Sequence, residues 1–309
     1  MSDIEATHPG GPMAVGTEIH RPTGAVVPAV ILIMWRRELL RFARDRSQLF
    51  GAFSRTVLWL LILGYGLGAA LREIEGYPYS HYVLPGVVVL NVLYASLQSS
   101  IALVWDKNVG LLREVLVSPA PTLSITLGKL FGGASIATIQ GTIPLLFMPI
   151  IGLDFNFVQL ILAWGVMFVM GILITSIGVI IASRMRTFEG FGAISNGVIQ
   201  PLYFLSGSIF PLKGVTGGVG FSQISNELRE MMRREGLRLT GATWSVTLPF
   251  WLQFLVYANP VSYNLDLLRY ILLDFEQLPL PADFLVTFLL PIVAVVAAAF
   301  AMRRMLRPR

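Results

Sequence analysis

The stretch Trp105–Lys129, WDKNVGLLREVLVSPAPTLSITLGK, decides the fold of this chain. It is a short, charged segment with two prolines, and it interrupts two long apolar runs. The chain before it carries apolar runs for two membrane spans, and the chain after it returns to the same side twice more. The segment is therefore predicted to be a loop of one membrane bundle, on the side of the bilayer where the chain begins.

The composition indicates an integral membrane protein. Of the 309 residues, 55% are hydrophobic and 13% are charged, whereas a soluble domain carries roughly 25% charged residues. A length of this order would permit two domains at roughly 100–200 residues each, but the apolar runs form one bundle without a linker. The absence of cysteine excludes disulfides and thiolate metal sites. The net charge of +5 is interpreted by its location along the chain and predicts no nucleic-acid partner.

Two N-terminal segments precede the first apolar run. Residues 1–25 are polar and contain Gly and Pro, which indicates a disordered cytosolic tail and no signal peptide. Residues 26–48 form a basic amphipathic pattern with Trp35, Phe42 and leucines on one face. Such a helix lies in the headgroup layer. The alternative, a solvated basic helix end with ordinary topogenic charge, stays open.

Six apolar runs are long enough to span a bilayer core of about 30 Å, which takes roughly 20 residues of helix. Arg55, near the start of the first run, is expected to snorkel to the interface. Pro201, Gly207 and Pro211 predict a broken helix that turns near the outer surface. The predicted spans are Leu49–Leu71, Tyr82–Val104, Leu130–Gly152, Phe157–Ala182, Gly190–Leu212 and Phe284–Met302.

The distribution of Lys and Arg orients the bundle with both termini in the cytosol. The opposite connections are short or acidic, apart from residues 213–281, and long loops follow the charge rule poorly. An even number of spans agrees with this orientation, which is that of a multi-pass protein of the cytoplasmic (inner) membrane. The basic connections hold Arg21 to Arg46, Lys107 and Arg113, Arg184 and Arg186, and Arg303 to Arg309.

Polar residues inside the predicted spans lie in two rows, each on one helical face. Lipid offers these groups no partners, so they should point into the bundle or into a wet cavity. They either join helices by hydrogen bonds, which is the favoured interpretation, or line a translocation path. Gly132 and Gly133 are expected to allow close helix packing. The two polar rows are Asn91 with Gln98, and Asn196, Gln200 and Tyr203.

Motifs for bond chemistry are absent from the sequence. It contains no phosphate-binding P-loop, no HExxH and no GxSxG, and His8, His20 and His81 share no ligand spacing. We therefore predict no catalytic residue, no metal site and no enzymatic activity of this chain itself. The spans also lack an Asp, Glu or Lys near their centres, which an ion-coupled transporter would normally need.

The loop segment Gly110–Pro119 has the pattern of a short amphipathic helix. Its apolar stripe is formed by leucines and valines between Leu111 and Leu116, and Pro119 and Pro121 end it. A turn that lies on the membrane and a docking surface for a partner share this pattern. The pattern alone leaves both interpretations open.

Four stretches, in order along residues 30–304, resemble the ABC-2 type permease family. One stretch matches the loop after the second span. The other three match, in chain order, the opening of the second span, the fifth-span signature and the outer segment before the last span. They are Gly110-Leu-Leu-Arg-Glu-Val-Leu-Val-Ser-Pro119 with Gly128-Lys129; Val83-Leu-Pro-Gly86; Phe204-Leu-Ser-Gly207 with Phe210-Pro211-Leu212; and Leu248-Pro249, Trp251-Leu252 and Asn259-Pro260 with Tyr263 and Arg269.

The resemblance implies an all-α membrane domain over residues 26–309, with six spans, a coupling loop at 105–125 and a broken outer fifth-span region. It also implies one half of an ATP-driven exporter of drugs, lipids or lipid-linked glycans. Two copies would pair as a homodimer, and each would bind a separate cytosolic ATPase that holds ATP and Mg²⁺, while this chain binds no cofactor. Carried over, the coupling helix comprises Gly110, Arg113, Glu114, Val117, Ser118 and Pro119, and the interfacial gate helix comprises Arg36, Arg37 and Arg41.

The chain departs from the family between the fifth span and the outer segment. The family passes quickly between them, whereas residues 213–247 intervene here, about 35 residues, a length at which a structureless loop is unusual. Residues 222–238 have a helical pattern and are predicted to be external. They either cap the exit or form a tolerated surface insertion. An ion-coupled secondary transporter and a non-transporting membrane scaffold stay open as alternative functions.

Overall fold

A computed structural model of the chain describes residues 26–68, 73–74, 77–109, 120–154, 156–209 and 250–306. These residues are almost entirely helical, with one short antiparallel pair of strands, β1 (Glu73–Ile74) and β2 (Tyr77–Pro78). The helices are α1 (Pro28–Arg44), α2 (Arg46–Trp59) with a π-helical continuation (Leu60–Leu67), α3 (Tyr79–Asn108), α4 (Thr122–Leu145) with a 3-10 turn (Met148–Ile151), α5 (Phe157–Arg184), α6 (Phe188–Phe204), α7 (Phe250–Ala258), α8 (Pro260–Leu273) and α9 (Leu280–Leu306).

Five helices in the described part of the chain are long and apolar enough to cross a membrane. They are Arg46–Leu67, Tyr79–Asn108, Thr122–Ile151, Phe157–Arg184 and Leu280–Met305, and each coincides with a predicted span. In the most apolar stretch of 18 residues, 72% of the residues of α3 are buried inside the protein, whereas only 17% of those of α9 are. The helix α3 is therefore the centre of the bundle, packed between α4, α5 and α6, and α9 lies at its edge against α5.

The predicted fifth span forms only a 17-residue helix, α6, within the described residues. Pro201 supplies no backbone N–H, and the helix ends three residues later, at Phe204. Gly207 then adopts φ +77°, a left-handed conformation that favours glycine. The predicted break in this helix is therefore observed before the predicted end at Leu212, while the count of six spans stays a prediction.

The amphipathic N-terminal pattern forms α1, which ends at Arg44, so the predicted segment 26–48 is divided between two helices. Asp45 caps α2 by accepting hydrogen bonds from Ser47 and Gln48, and these bonds hold the pKa of its carboxylate below the ordinary value. The helix α1 packs against α4. Its location in the headgroup layer stays a prediction.

Glycines on α4 allow neighbouring helices to approach closely, as predicted for Gly132 and Gly133. A Cβ atom at Gly132 would lie 2.6 Å from Glu38 Cβ on α1, and one at Gly133 would lie 2.6 Å from Thr175 Cγ2 on α5. At Gly128, a Cβ atom would lie 2.5 Å from Met34 Cβ. No real Cβ fits at such distances without a shift, so Gly128 and Gly132 fix the close approach of α1 to α4, and Gly133 fixes that of α5.

Three sequence predictions fall outside the described residues. They are the N-terminal tail 1–25, the coupling residues 110–119 and the external insertion 213–247. The domain limits based on them stay predictions.

Candidate functional site

Five charged side chains join α1 to the end of α3, just before the 110–119 segment, and to α4, which follows that segment. On α4, Lys129 Nζ lies 2.9 Å from Asp106 Oδ2 and 3.2 Å from Glu38 Oε1. From α1, Arg37 and Arg41 donate to Asp106 Oδ1 at 3.1 and 3.3 Å. These side chains lie at the end of the bundle that is predicted to face the cytosol, and we call Arg37, Glu38, Arg41, Asp106 and Lys129 the inner ionic cluster.

Burial makes the pairing in this cluster obligatory. The side chains of Asp106 and Glu38 are 3% and 4% exposed, whereas Arg37 and Arg41 are 30% and 36% exposed. A buried charge is tolerated only when it is paired and hydrogen-bonded. The three cations compensate both carboxylates and leave a net charge of +1, located on the exposed arginines. The cluster is thus rigid at Lys129 and accessible to water at α1.

The end of α3 is also tied to α5. Lys107 Nζ donates to the carbonyl oxygens of Ser183 and Met185 at 3.0 and 2.8 Å, and to that of Ala182 at 3.3 Å. These carbonyls lie at the C-terminal end of α5, where a cation interacts favourably with the helix dipole, and Ala182 O also accepts from the Met185 N–H. The end of α3 is therefore joined to α1 and α4 through Asp106, and to α5 through Lys107.

Only part of this cluster was predicted from the sequence. Arg37 and Arg41 were predicted as gate residues, Lys107 as a topogenic charge and Lys129 as part of a motif. Asp106 and Glu38 were not predicted as site residues. The available signal was that charges within a few residues of an apolar run must find partners on other helices.

An open cavity of about 360 Å³ lies beside the inner ionic cluster, between α1, α2, α3, α4 and α6. Gln98, a predicted path residue, lines this cavity together with Arg41 of the predicted gate helix. The structure thus brings together one residue from each of two separately predicted sets. The remaining polar lining comes from Glu38, Gln48 and Ser99, and the aromatic lining from Phe42, Trp105 and Phe188. Such a lining can bind the apolar part of a molecule and its polar end at once.

Asn91, another predicted path residue, joins helices inside the bundle. It is completely buried, donates to Thr56 Oγ1 at 2.9 Å and accepts from Arg55 Nε at 3.0 Å. The Arg55 guanidinium also lies 4.4 Å from the centre of the Tyr94 ring. The expectation that Arg55 snorkels to the interface is wrong, because these groups on α3 provide partners within the bundle.

The remaining predicted path residues lie on α6. Asn196 and Gln200 are exposed, and Gln200 Nε2 lies 3.4 Å from the Tyr94 hydroxyl. Tyr203 is buried, with its ring edge against Trp59 at a centroid distance of 5.7 Å. Tyr203 therefore packs α6 onto the first span, and Asn196 and Gln200 face outward. Arg36 of the predicted gate helix is exposed and forms no ion pair with any described residue.

A second polar group lies at the opposite end of the bundle. Arg269 is 1% exposed; it donates to Gly207 O at 2.7 Å and to Gln277 Oε1 at 3.3 Å, and it stacks 4.0 Å from the Tyr82 ring centre. Asp266 accepts from the backbone N–H groups of Gln277 and Leu278. We call Tyr82, Gly207, Asp266, Arg269 and Gln277 the outer polar cluster, which joins the turn after α6 to α3 and α8.

Metal binding has no candidate in the described residues, which contain no group of three His, Asp or Glu side chains able to hold an ion. The arrangement at the inner end is suited to movement and to ligand contact, and it presents no nucleophile–base pair.

A sequence model described as ABC-2 type transporter matches residues 29–225, from α1 through the inner ionic cluster to beyond α6. The chain belongs to the ABC-2 type transporter family. This family supplies the transmembrane subunit of a transporter, which is typically non-catalytic. The permease is accordingly a multi-pass, all-α membrane protein.

The permease is also similar to several named proteins. It is 25% identical to the inner membrane transport permease YadH of Escherichia coli strain K12 over 260 residues, which cover 81% of this chain and 86% of that protein. It is 24% identical to Nodulation protein J of Rhizobium leguminosarum bv. viciae over 197 residues, covering 63% of this chain and 75% of that protein. The putative transport permease ycf38 of Cyanophora paradoxa is 23% identical over 78% of this chain and 73% of its own length.

Proposed function

We propose that this permease is the membrane half of an ATP-driven exporter that moves an amphipathic drug, lipid or lipid-linked glycan out of the cytoplasm. Two copies would form the transmembrane domain, and each would bind one cytosolic ATPase, which holds ATP and Mg²⁺. The coupling residues would be Gly110, Arg113, Glu114, Val117, Ser118 and Pro119. The observation that carries this proposal is the inner ionic cluster, which links the chain directly before these residues to α1 and α4.

Force from the ATPase would reach the bundle along two routes. A push on segment 110–119 moves the end of α3, and Asp106 transmits the movement to α1 through Arg37 and Arg41. Lys107 transmits it to the end of α5. The energy for this movement must come from the different affinities of the two conformations for ATP, since a ligand shifts an equilibrium only by its differential binding.

Movement of α1 would change the cavity beside the cluster. Glu38, Arg41 and Phe42 form its α1 wall, so the cavity widens or narrows as this helix shifts. Its volume of about 360 Å³ is at the lower end of the range for small-molecule sites. It would admit a drug-sized molecule or a lipid headgroup, with the charged end near Arg41 and the apolar part against Trp105 and Phe188.

The exposed polar face of α6 supports the remainder of the path. Asn196 is exposed, and Gln200 is exposed although its Nε2 reaches the Tyr94 hydroxyl at 3.4 Å; both would meet the second copy, so that the transported molecule passes between the two subunits. Polar groups exposed at membrane depth are costly against lipid. A partner protomer or a wet path would supply the missing hydrogen bonds.

The test is purification of the tagged permease from its native membranes in mild detergent, followed by measurement of co-purifying ATP hydrolysis. Glu114→Gln should lose most of this activity while the amount of membrane-inserted permease is unchanged. Glu189→Gln, an equal charge change at an exposed position on the same side, should retain it. Wild-type permease that carries no nucleotide-hydrolysing subunit, or full activity of Glu114→Gln, would contradict the proposal. Transport that persists without the ATPase would instead indicate the ion-coupled class.

A further inference from the structure

The exposed face of α1 carries a groove that the proposed function does not use. An open cavity of about 560 Å³ lies along this face. Its lining combines four arginines with two aliphatic side chains, and we call these residues the arginine groove: Ile33, Arg36, Arg37, Leu40, Arg41 and Arg44. The opposite face of α1 packs against α4, where Met34 and Glu38 meet Gly128 and Gly132. The groove therefore lies on the side of α1 that α4 leaves uncovered.

The aliphatic side chains of the groove are exposed although they are large. Ile33 is 61% exposed and Leu40 is 47% exposed, and both lie between arginines on the same face of the helix. Arginines interleaved with exposed aliphatic residues are typical of helices that contact a lipid surface. An occupant that satisfies this groove must therefore have an apolar part as well as a charged part.

The charge of this region selects an anion. The inner ionic cluster has a net charge of +1, and the exposed Arg36 and Arg44 raise the sum to five cations against two carboxylates. Arg37 and Arg41 each bind Asp106 through one terminal nitrogen, at 3.1 and 3.3 Å. A guanidinium carries five N–H donors in a planar fork, so both arginines keep donors for a further acceptor. Phosphate oxygens match this fork in geometry and in charge.

The groove lies at the depth of lipid headgroups. The backbone N–H of Val27 donates to Ser124 Oγ at 2.8 Å near the start of α4, whereas Glu38 lies against Gly132, two turns further along. The helix α1 thus rises along α4 as the chain proceeds. Because the predicted apolar span of α4 begins at Leu130, the second half of α1 lies where the apolar core meets the headgroup layer. The nearest phosphates at this level are those of the lipids themselves.

We propose that the arginine groove binds an anionic phospholipid of the inner leaflet, such as phosphatidylglycerol. Its phosphate would lie between Arg36 and Arg44 and share the free donors of Arg37, and its acyl chains would begin over Ile33 and Leu40. A volume of about 560 Å³ is within the range of small-molecule sites and suits a headgroup with the first part of its chains. The lipid is a resident ligand, and the site stands independently of whether an ATPase drives the permease.

The bound lipid would also act on the inner ionic cluster. Arg41 lines both the arginine groove and the cavity on the other side of α1. A phosphate in the groove would compete with Asp106 for Arg37 and Arg41, while Lys129 stays on Asp106 at 2.9 Å. Occupancy would therefore loosen α1 from the end of α3 without exposing the buried carboxylate. The lipid composition of the inner leaflet would in this way set how easily α1 moves.

Native mass spectrometry of the purified full-length permease tests the site. The protein in mild detergent is titrated with phosphatidylglycerol and with phosphatidylcholine of the same acyl chains, and the wild type should retain phosphatidylglycerol preferentially. Arg36→Gln combined with Arg44→Gln should bind it roughly 20-fold more weakly, because each arginine near an anionic lipid contributes about fivefold. Arg303→Gln combined with Arg304→Gln, at two exposed arginines in the last turn of α9, is the matched control and should bind as the wild type does.

Four outcomes would overturn the proposal. Equal retention of the two lipids by the wild type would remove the preference for an anion, and an equal loss in both double variants would reduce it to general surface charge. Complete displacement of phosphatidylglycerol by inorganic phosphate at the same concentration would assign the groove to a soluble anion. Loss of co-purifying ATP hydrolysis from the variant at Arg36 and Arg44, with lipid binding unchanged, would assign the groove to a protein partner.

A second variant tests the apolar part of the groove. Leu40→Ser should weaken the binding of phosphatidylglycerol roughly threefold to tenfold, because it removes the apolar area of a half-exposed leucine. Ala43→Ser, at an exposed position of α1 outside the groove, is the control and should bind as the wild type does. Unchanged binding in Leu40→Ser would contradict the proposed position of the acyl chains. Release of the lipid when ATP is added to the wild-type protein would identify it as cargo and would contradict a resident ligand.

Discussion

The two polar ends of the bundle are built on different principles. The inner ionic cluster holds Asp106 between three cations at 2.9–3.3 Å, and two of these, Arg37 and Arg41, are about one third exposed. The outer polar cluster holds its single cation, Arg269, at 1% exposure with a carbonyl, an amide and an aromatic ring. The described residues give Arg269 no ion pair.

The difference indicates which end can move. At the inner end, water can replace each arginine contact as α1 shifts, so rearrangement leaves no charge without a partner. At the outer end, movement would strip Arg269 of its bonds inside a dry site, where nothing replaces them. We therefore expect the inner cluster to act as a joint and the outer cluster to act as a fixed support for the turn at Gly207.

The largest effect is expected from Lys129→Met, which removes the buried cation from the joint. Glu38 and Asp106 remain buried with weaker partners, and breaking a buried ion pair on one side costs about 3–5 kcal/mol. Thermal unfolding of the purified protein measures the loss. The double variant Lys129→Met with Glu38→Gln should recover part of it, because one uncompensated charge is gone. A stability loss below about 1 kcal/mol in the single variant would show that the cluster is not closed as described.

A smaller loss is expected from Arg269→Gln at the outer support. The change removes two hydrogen bonds of a charged group and a stacking contact, with an expected cost of about 2–4 kcal/mol. The same unfolding measurement, together with proteolysis of the turn after α6, checks it. Arg304→Gln, in the last turn of α9, is the control for loss of an arginine. If Arg304→Gln lowered the stability as much as Arg269→Gln does, the contacts of Arg269 would not be what fixes the outer end, and the distinction between the two ends of the bundle would be lost.

Gly132→Ala tests whether the joint depends on a close backbone approach. The new methyl group would meet Glu38 Cβ at 2.6 Å and force α1 away from α4, at a cost of about 1–3 kcal/mol. Gly165→Ala on α5, where a Cβ has nothing within 4 Å, is the matched control and should be neutral or slightly stabilising. We expect lower ATP-driven transport in Gly132→Ala than in the control. Equal stability and transport in both would contradict the packing argument.

The smallest effect is expected from Arg37→Gln. Arg41 and Lys129 stay on Asp106, and a partly exposed ion pair contributes less than about 1 kcal/mol. The difference from wild type should shrink further at high salt, because exposed charges are screened. Unfolding curves at low and high ionic strength measure it. A loss comparable with that of Lys129→Met would show that α1 is held as rigidly as the outer support.

The spans were predictable because their signal is length and hydropathy, which the bilayer thickness fixes. Predicted limits such as Tyr82–Val104 fall inside the observed Tyr79–Asn108, because helices continue into the interface where apolarity ends. In the fifth run, apolar character continues past Phe204, and the break predicted from Pro201 and Gly207 is observed there. Apolarity alone would therefore overestimate a helix that a proline interrupts.

The inner site was only half predictable. The arginines of α1 were recognisable as a basic run. The ion pairs of Asp106 and Glu38, in contrast, become visible only when α3 and α4 are placed beside α1. Arg55 was interpreted by depth alone, because the sequence does not show that Asn91 and Tyr94 lie on the face it meets. Pairings between helices distant in sequence depend on packing, which hydrophobic periodicity does not specify.

The contact of Gly128 with Met34 offers a way to lock the joint in a protein that contains no thiol. Cysteines introduced by Gly128→Cys and Met34→Cys would be the only sulfhydryl groups, and their Cβ atoms would start closer than the 3.5–4.5 Å that a disulfide requires. Bond formation would hold α1 slightly displaced from α4, and a reductant would release it. The oxidation state of this cysteine pair would then set the position of α1. No native cysteine would compete in the reaction.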